Sequence, residues 1–325
     1  MSARDPIPAV MSQSLPRPEP GSSRQIWSVG GGKGGIGKTL ITAALGWHLA
    51  RLGKRVVLVD ADLGGANLHT CLGLHGPTRT LGDFMSRRVE TIEEVLVDTG
   101  IAGLRLVSGG GDFLGAANIN YQQKLRLLSK VRELDVDIVL IDLGAGTSFN
   151  TLDFFLASDL GLLLVVPEPT SVENGYRFIK SALFRRLRAV AATDRVRELV
   201  DSGLDSRNAA GIRTPLDLLA AVEAEDPEQA AAFRAEVASF RPRFVVNQVR
   251  EPSDVAVGHQ LVTACARHLG VRASYAGFVD YDETVWRCVR QRRLFMAEAP
   301  ASPAAERVRQ VARMLMHRAS LRLPW

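Results

Sequence analysis

The chain has 325 residues, of which 46% are hydrophobic and 23% charged, a composition typical of a globular protein with room for a full α/β domain. No apolar run reaches the roughly 18 residues of a membrane span, and the N-terminus lacks the apolar core of a signal peptide, so we expect a cytoplasmic protein. The net charge of +5 allows contact with anionic lipid or nucleic acid without requiring it, and three widely spaced cysteines exclude a disulfide framework.

Residues 1–23 carry five prolines and few apolar side chains, which predicts a disordered tail. A β-rich run at 25–29 follows, then the pattern G-x-x-x-x-G-K-[ST] at 32–39, then a helical pattern that Gly53 ends. This strand–loop–helix order is the context of a phosphate-binding loop, because backbone N–H groups and a helix N-terminus attract phosphate oxygens. The residues predicted to contact nucleotide here are Gly32, Lys33, Gly34, Gly35, Ile36, Gly37, Lys38 and Thr39.

Two lysines lie inside this loop. Lys38 occupies the position expected to contact the β- and γ-phosphates, and the Thr39 hydroxyl the position expected to reach Mg²⁺. Lys33 is additional to the general pattern, so it changes the expected mechanism.

Two further apolar runs, 55–60 and 136–142, end in aspartate and are typical of strands buried on both faces of a parallel sheet. Since parallel strands end at one edge of a sheet, we expect Asp60, Asp62 and Asp142 beside the phosphate loop. Carboxylates there would support Mg²⁺ or orient the attacking water. Capping of the next helix by Asp60 and Asp62 is the alternative.

The rest of the chain mostly alternates strands with helices, which predicts a doubly wound, mostly parallel α/β sheet. The predicted elements are helices at 80–85, 91–96, 121–134, 172–187 and 254–269, and strands at 104–109, 160–166, 243–249 and 275–279. The helix at 91–96 is predicted from a capping box formed by Thr91 and Glu94.

Two segments depart from this alternation. Residues 188–241 are alanine-rich and polar, which predicts an α-helical insertion in a domain spanning 24–303. This insertion would serve either as a partner surface or as a hairpin that covers a sheet edge. Residues 304–325 predict a basic, amphipathic C-terminal helix. Peripheral contact with the inner membrane surface is one interpretation of this helix, but its alanine-diluted apolar face favours packing onto the sheet.

Asn247 lies in the predicted strand at 243–249. Its amide has both an acceptor and donors, so it could read a purine edge. A turn residue is an equally good interpretation of this asparagine from the sequence.

Three features together resemble the MinD/ParA family of deviant Walker-A ATPases. They are the loop with Lys33, the Asp60-x-Asp62 segment with Asn67, and the strand that ends in Asp142. The resemblance is close over 25–187 and looser over 243–294. It implies a P-loop NTPase fold of the SIMIBI type.

A shorter segment indicates a branch within that family. The run P-E-P-T-S at 167–171, with Tyr176 and Lys180, resembles the FlhG/FleN-like group, which regulates flagellar number and placement.

The resemblance implies ATP and Mg²⁺ as cofactors and an ATP-dependent homodimer with two nucleotides between the subunits. It implies that Lys33 reaches the phosphates of the partner's ATP and that Asp62 orients the attacking water. The implied catalytic residues are Lys33, Lys38 and Asp62, and the implied Mg²⁺ residues are Thr39, Asp60 and Asp142. The resemblance also implies that Asn67 engages nucleotide across the dimer and that Asn247 contacts the adenine.

These features lead to a hypothesis with two competitors. The leading hypothesis is an ATPase switch with slow, partner-stimulated hydrolysis. Its ATP dimer would expose a surface for an unknown protein partner or a membrane. The switch would thereby position an assembly such as a flagellum or division site. The second is a ParA-like partition ATPase, in which arginine clusters at 185–188, at 287–293 and along the last helix bind DNA without sequence preference. Iron–sulfur carriers of this family need paired cysteines, which Cys71, Cys265 and Cys288 do not offer by spacing.

Overall fold

The computed structural model describes residues 24–109, 119–204 and 211–320, the last three as backbone only. The predicted tail, 1–23, and the end of the predicted C-terminal segment, 321–325, lie outside these residues.

One eight-stranded sheet organises the molecule, with the strand order β3-β4-β2-β5-β1-β6-β7-β8. All neighbouring strands pair in parallel except β3 with β4, which confirms the predicted doubly wound, mostly parallel sheet. The strands are β1 (Gln25–Gly30), β2 (Val56–Asp60), β3 (Leu96–Asp98), β4 (Leu104–Val107), β5 (Ile138–Asp142), β6 (Leu160–Val165), β7 (Arg243–Val249) and β8 (Ser274–Asp280).

Helices cover both faces of the sheet. They are α1 (Lys38–Arg51), α2 (Leu68–Cys71), α3 (Leu81–Met85), α4 (Tyr121–Glu133), α5 (Phe149–Leu156), α6 (Pro169–Val190), α7 (Asp194–Leu204), α8 (Pro215–Glu225), α9 (Pro227–Ser239), α10 (Ala256–Ala264), α11 (Glu283–Arg290), α12 (Phe295–Glu298) and α13 (Pro303–Ser320). The buried side chains form two clusters, one shared with α1, α12 and α13 and the other with α4 to α10.

The central strands show why both faces are covered. Along β2, Val57 and Val59 belong to one cluster and Val56 and Leu58 to the other, and every residue of the strand is buried. Successive strand side chains point to opposite faces, so an uninterrupted apolar run requires packing partners on both.

The prediction of a helix at 91–96 is wrong. The Glu94 carboxylate does accept hydrogen bonds from the Glu90 and Thr91 backbone N–H groups, at 3.1 and 3.0 Å, but only a 3₁₀ turn at Glu93–Val95 follows. The chain then enters β3, where Leu96 pairs with Val107 of β4. Pairing with a sheet edge therefore overrides a correctly recognised helix-start signal.

Two other helices differ in extent from the predictions. Helix α6 begins at Pro169, three residues before the predicted start, because a proline suits the first helical position. The predicted helix at 254–269 comprises a 3₁₀ turn, α10 and a π turn at Cys265–Leu269, and Gly270 ends it with φ of +67°.

The 188–241 segment is helical in its described part, as predicted, and packs on α6. Val196, Val200 and Phe233 of this segment are buried in the same cluster as Phe184 and Leu187 of α6. Helices α7 to α9 therefore extend the sheet's own core.

Helix α13 packs against β8 and α1. Val308, Val311 and Leu315 are each at most 2% exposed and belong to the cluster on the α1 face. Packing onto the sheet is therefore the interpretation that the structure supports, and this apolar face is not available to a membrane. Within the described ranges, no helix combines the length and the apolarity needed to cross a bilayer.

Candidate nucleotide-binding site

The loop between β1 and α1 presents its backbone to a ligand. Gly37, which precedes the first residue of α1, has φ of +89° and supplies no side-chain cap, so the first N–H groups of the helix are left for an acceptor. A Cβ on Gly32 would lie 2.4 Å from the Asn174 carbonyl oxygen, and one on Gly37 would lie 2.5 Å from Asn247 Nδ2. Both positions therefore require glycine, and the loop is shaped as a phosphate cradle.

Asn247 touches this loop from two strands away. Its Nδ2 donates a 2.8 Å hydrogen bond to the Ile36 carbonyl, and its side chain is buried. This contact could not be predicted from local sequence patterns, because 211 positions separate the two residues. Adenine recognition by Asn247 stays a prediction; the contact shows that the side chain also supports the loop.

Lys38 is 7% exposed, and its Nζ lies 3.4 Å from the Lys33 carbonyl, so the ammonium points back across the loop. Burial lowers the pKa of Lys38, while the negative charges of Asp142 and Asp62 raise it. Lys38 therefore lies close enough to Asp62 and Asp142 to be influenced by their charges, as expected from parallel strands that end at one edge of the sheet.

Asp142 is 1% exposed at the end of β5. The Thr42 hydroxyl donates to its Oδ1 at 3.1 Å, whereas its buried Oδ2 has no hydrogen-bond partner among the described residues. Burial, and then the charge of Asp60, raise the pKa of Asp142 to about 7, while hydrogen bonds from Thr39 and Thr42 oppose the rise. A buried carboxylate oxygen without a partner, beside a threonine hydroxyl, fits a site for a metal-bound water.

Asp60 organises the acidic loop that follows β2. Its Oδ1 accepts from the Asp62 N–H at 3.2 Å and its Oδ2 from the Leu68 N–H at 3.0 Å, where α2 begins. Burial raises the pKa of Asp60 to about 6 despite these hydrogen bonds. The Oδ2 contact matches the capping alternative for Asp60, whereas Oδ1 closes a turn within the loop, and a role near Mg²⁺ stays a prediction.

Asp62 and Asn67 occupy the two ends of the same loop. Asp62 lines a cavity of about 160 Å³ together with Gly144, Ser148 and Thr151, which come from the glycine loop after β5 and the start of α5. Asn67 is exposed, and its Nδ2 donates to the Gly65 carbonyl at 2.6 Å. The water-positioning role of Asp62 and the cross-dimer role of Asn67 stay predictions.

Lys33 lies on the outer side of the loop. Its Nζ forms a 2.7 Å ion pair with Glu168, and the two side chains are 40% and 56% exposed. Glu168 is the residue that precedes α6, and its side chain does not cap that helix. Sequence reasoning noted the segment containing Glu168 but did not identify the glutamate as the partner of Lys33.

Several known proteins are similar to this chain. The ParA family model described as "NUBPL iron-transfer P-loop NTPase" matches residues 22–187. The antiactivator FleN of Pseudomonas aeruginosa is 30% identical over 290 residues, which are 89% of this chain and 85% of FleN. The septum site-determining protein MinD of Helicobacter pylori is 32% identical over 160 residues, 47% of this chain and 57% of that protein.

The fold has a close counterpart among solved structures. MinD from Pyrococcus horikoshii OT3, solved in complex with Mg-ADP, superposes with a TM-score of 0.62 at 17% identity over 92% of this chain and 98% of that one. The family model covers half of the chain and FleN matches most of it, which supports the FlhG/FleN-like branch. The chain thus belongs to the ParA family of P-loop NTPases and is related to its FleN and MinD members.

Proposed function

We propose that this protein is an ATP-dependent dimerisation switch that hydrolyses ATP slowly and regulates or positions a cellular assembly. The similarity to an antiactivator and to a septum site-determining protein supports a regulatory or positioning role. The segment at 167–171 resembles the group that regulates flagellar number and placement, which favours a flagellum over a division site as the assembly.

One observation carries the proposal: the two lysines of the loop lie in different environments. Lys38 is buried and directed across its own loop, whereas Lys33 is exposed on the outer side in an ion pair with Glu168. A cation so placed can approach phosphates held by a second copy of the chain. Because an exposed ion pair contributes only about 0–1 kcal/mol, Glu168 can release Lys33 at little cost.

The residues inside the site fit Mg-ATP. The loop N–H groups and Lys38 would bind the phosphates, Thr39 would reach the metal, and Oδ2 of Asp142 would accept from its water shell. When bound, Mg²⁺ supplies positive charge opposite the transferring phosphoryl group. Asp62, at the wall of the neighbouring cavity, would orient the attacking water.

Sedimentation in Mg-ATP and Mg-ADP tests the proposal. We expect wild type and Asp62→Ala to dimerise in ATP, the variant more persistently, and Lys33→Ala to stay monomeric while it still binds ATP. Lys130→Ala is the matched control, because Lys130 also forms an exposed ion pair, with Glu133 at 2.6 Å, but lies on α4. If Lys33→Ala dimerises as wild type does, the mechanism is wrong.

Glu168→Gln sharpens the same test. Removing the counter-ion frees Lys33, so we expect half-maximal dimerisation at an ATP concentration lower by up to about fivefold, the equivalent of about 1 kcal/mol. An unchanged or higher ATP requirement would show that the Lys33–Glu168 pair does not compete with dimerisation.

A further inference from the structure

The three arginine clusters of the sequence have different surroundings in the structure. On α6, Arg185, Arg186 and Arg188 pair with Asp153, Glu236 and Asp201 of other helices. On α13, Arg307 pairs with Asp280 and Arg309 with Glu306. The cluster at 287–293 differs, because it follows an exposed apolar helix face.

We call this face the α11 surface and define it as Trp286, Val289, Arg290, Arg292 and Arg293. Trp286 is 51% exposed and Val289 43%, and the Arg290 guanidinium lies 4.8 Å from the centre of the Trp286 ring. The three arginines are exposed.

The helix is anchored by its other side. Cys288 is buried and Val285 half-buried, and both pack in the cluster on the α1 face. Residues three and four apart share a helix face, so burial of Val285 and Cys288 directs Trp286 and Arg290 outward. Val289, at the border of the two faces, is 43% exposed. The exposed tryptophan is therefore held in place by the fold.

The charge of the surrounding segment is positive. Residues 281–293 contain four arginines and two carboxylates. The Asp282 carboxylate accepts from backbone N–H groups of Thr284 and Ala304, and Arg293 pairs with Glu298 at 3.1 Å. In the part of the chain that the structure describes, Arg290 and Arg292 form no ion pair with a carboxylate.

An anionic bilayer suits this combination better than other partners do. A tryptophan and a valine with neighbouring arginines match a membrane interface. There the indole and the aliphatic side chain enter the headgroup region, and the guanidinium groups contact lipid phosphates. Nucleic acid would pair with the arginines, but an exposed valine adds nothing to a phosphate contact. An acidic protein partner would bury both apolar side chains only if its own surface carried a matching apolar pocket.

We propose that the α11 surface docks onto an anionic lipid surface, with Trp286 and Val289 entering the interface and Arg290 and Arg292 pairing with lipid phosphates. The proposal places membrane contact on α11 rather than on α13, whose apolar face is covered by the core. It goes beyond the ATP switch and does not depend on it.

Vesicle binding of the full chain tests this surface. Wild type is titrated with phosphatidylglycerol vesicles and with phosphatidylcholine vesicles, without nucleotide and with Mg-ATP, and followed by sedimentation and tryptophan fluorescence. We expect binding to phosphatidylglycerol in at least one nucleotide condition, weakened by salt, and little binding to phosphatidylcholine. Trp27 is buried and Trp47 half-buried, and Trp325 lies outside the described residues, so the part of a blue shift that is lost in a Trp286→Ser variant is the part assigned to Trp286.

Variants locate the contact. Trp286→Ser with Val289→Ser should abolish binding, and Arg290→Gln and Arg292→Gln should each weaken it about fivefold. Arg51→Gln is the matched control, because Arg51 stacks on Trp47 at 5.8 Å, but that tryptophan packs against the core. Leu216→Ser, at a leucine 55% exposed on α8, controls for general loss of apolar surface.

Three results would overturn the proposal. They are an absence of wild-type binding to phosphatidylglycerol vesicles in any condition, binding of the α11 variants to these vesicles as tight as that of wild type, and a loss of binding in the two control variants as large as that in the α11 variants. Retention on duplex DNA that is lost with the α11 variants, in the absence of vesicle binding, would assign the surface to nucleic acid instead. ATP binding by the same variants is measured in parallel, so failure of the ATP switch is recognised separately.

Discussion

The arginine clusters at 185–188 on α6 and at 287–293 on and after α11 are of similar density, but they differ in how many of their charges are paired with carboxylates from other helices. Each arginine of the 185–188 cluster meets a carboxylate on a different helix, Asp153 on α5, Glu236 on α9 and Asp201 on α7. The α11 arginines meet a carboxylate nearby in sequence, an aromatic ring or solvent. A run of arginines is therefore a candidate binding surface only where some of its members, here Arg290 and Arg292, form no ion pair among the described residues.

The comparison also bears on the DNA-binding alternative. Pairing of the 185–188 cluster removes one of the surfaces on which that alternative relied, because those charges are already compensated. The pairs with Glu236 and Asp201 join the helical insertion to α6, and the pair with Asp153 joins α5 to α6, so the cluster serves the architecture of the domain. The α11 surface, where Arg290 and Arg292 form no ion pair among the described residues, keeps positive charge available to an external partner.

Asp153→Ala should have the largest effect. Asp153 is 5% exposed and is paired with both Lys124, which is 4% exposed, and Arg185, so its removal leaves buried cations uncompensated. We expect a loss of about 3–5 kcal/mol in the free energy of unfolding, measured in urea. Adding Lys124→Met should recover part of the loss, and a loss below about 1 kcal/mol would show that the α6 cluster is not structural.

Arg186→Ala should have an intermediate effect. Its guanidinium pairs with Glu236 at 2.6 Å, where the two side chains are 18% and 11% exposed, and donates to Ser239 Oγ at 2.7 Å. Leaving the glutamate without this partner should reduce the free energy of unfolding by about 1–3 kcal/mol. Arg188→Ala is the control, expected to cost less than about 1 kcal/mol, because Asp201 is 42% exposed. The reverse order would contradict the link between burial and cost.

Arg290→Gln should have the smallest effect on stability, within about 0.5 kcal/mol in the same urea measurement, because Arg290 is exposed and forms no ion pair with any described residue. It should instead weaken binding to phosphatidylglycerol vesicles. A destabilisation comparable with that of Arg186→Ala would abolish the distinction between the two helices.

The candidate site could be predicted in part. The phosphate loop is one contiguous motif, and Asp60 and Asp142 end apolar strands, so their convergence follows from the geometry of a parallel sheet. Thr42, Glu168 and the contact between Asn247 and Ile36 could not be predicted, because each depends on which distant residue reaches the site. Thr42 meets Asp142 across 100 positions and Lys33 meets Glu168 across 135.

By itself, the sequence determined the alternation of strands and helices, the phosphate cradle and the family resemblance, because these depend on local periodicity and on contiguous residue types. Tertiary structure decided the rest: which arginines are neutralised, that the apolar face of α13 is covered, and that Lys33 is held by Glu168 while Lys38 is buried. Charge pairing and burial depend on the three-dimensional neighbours of a side chain, and those neighbours come from elements far apart in the chain.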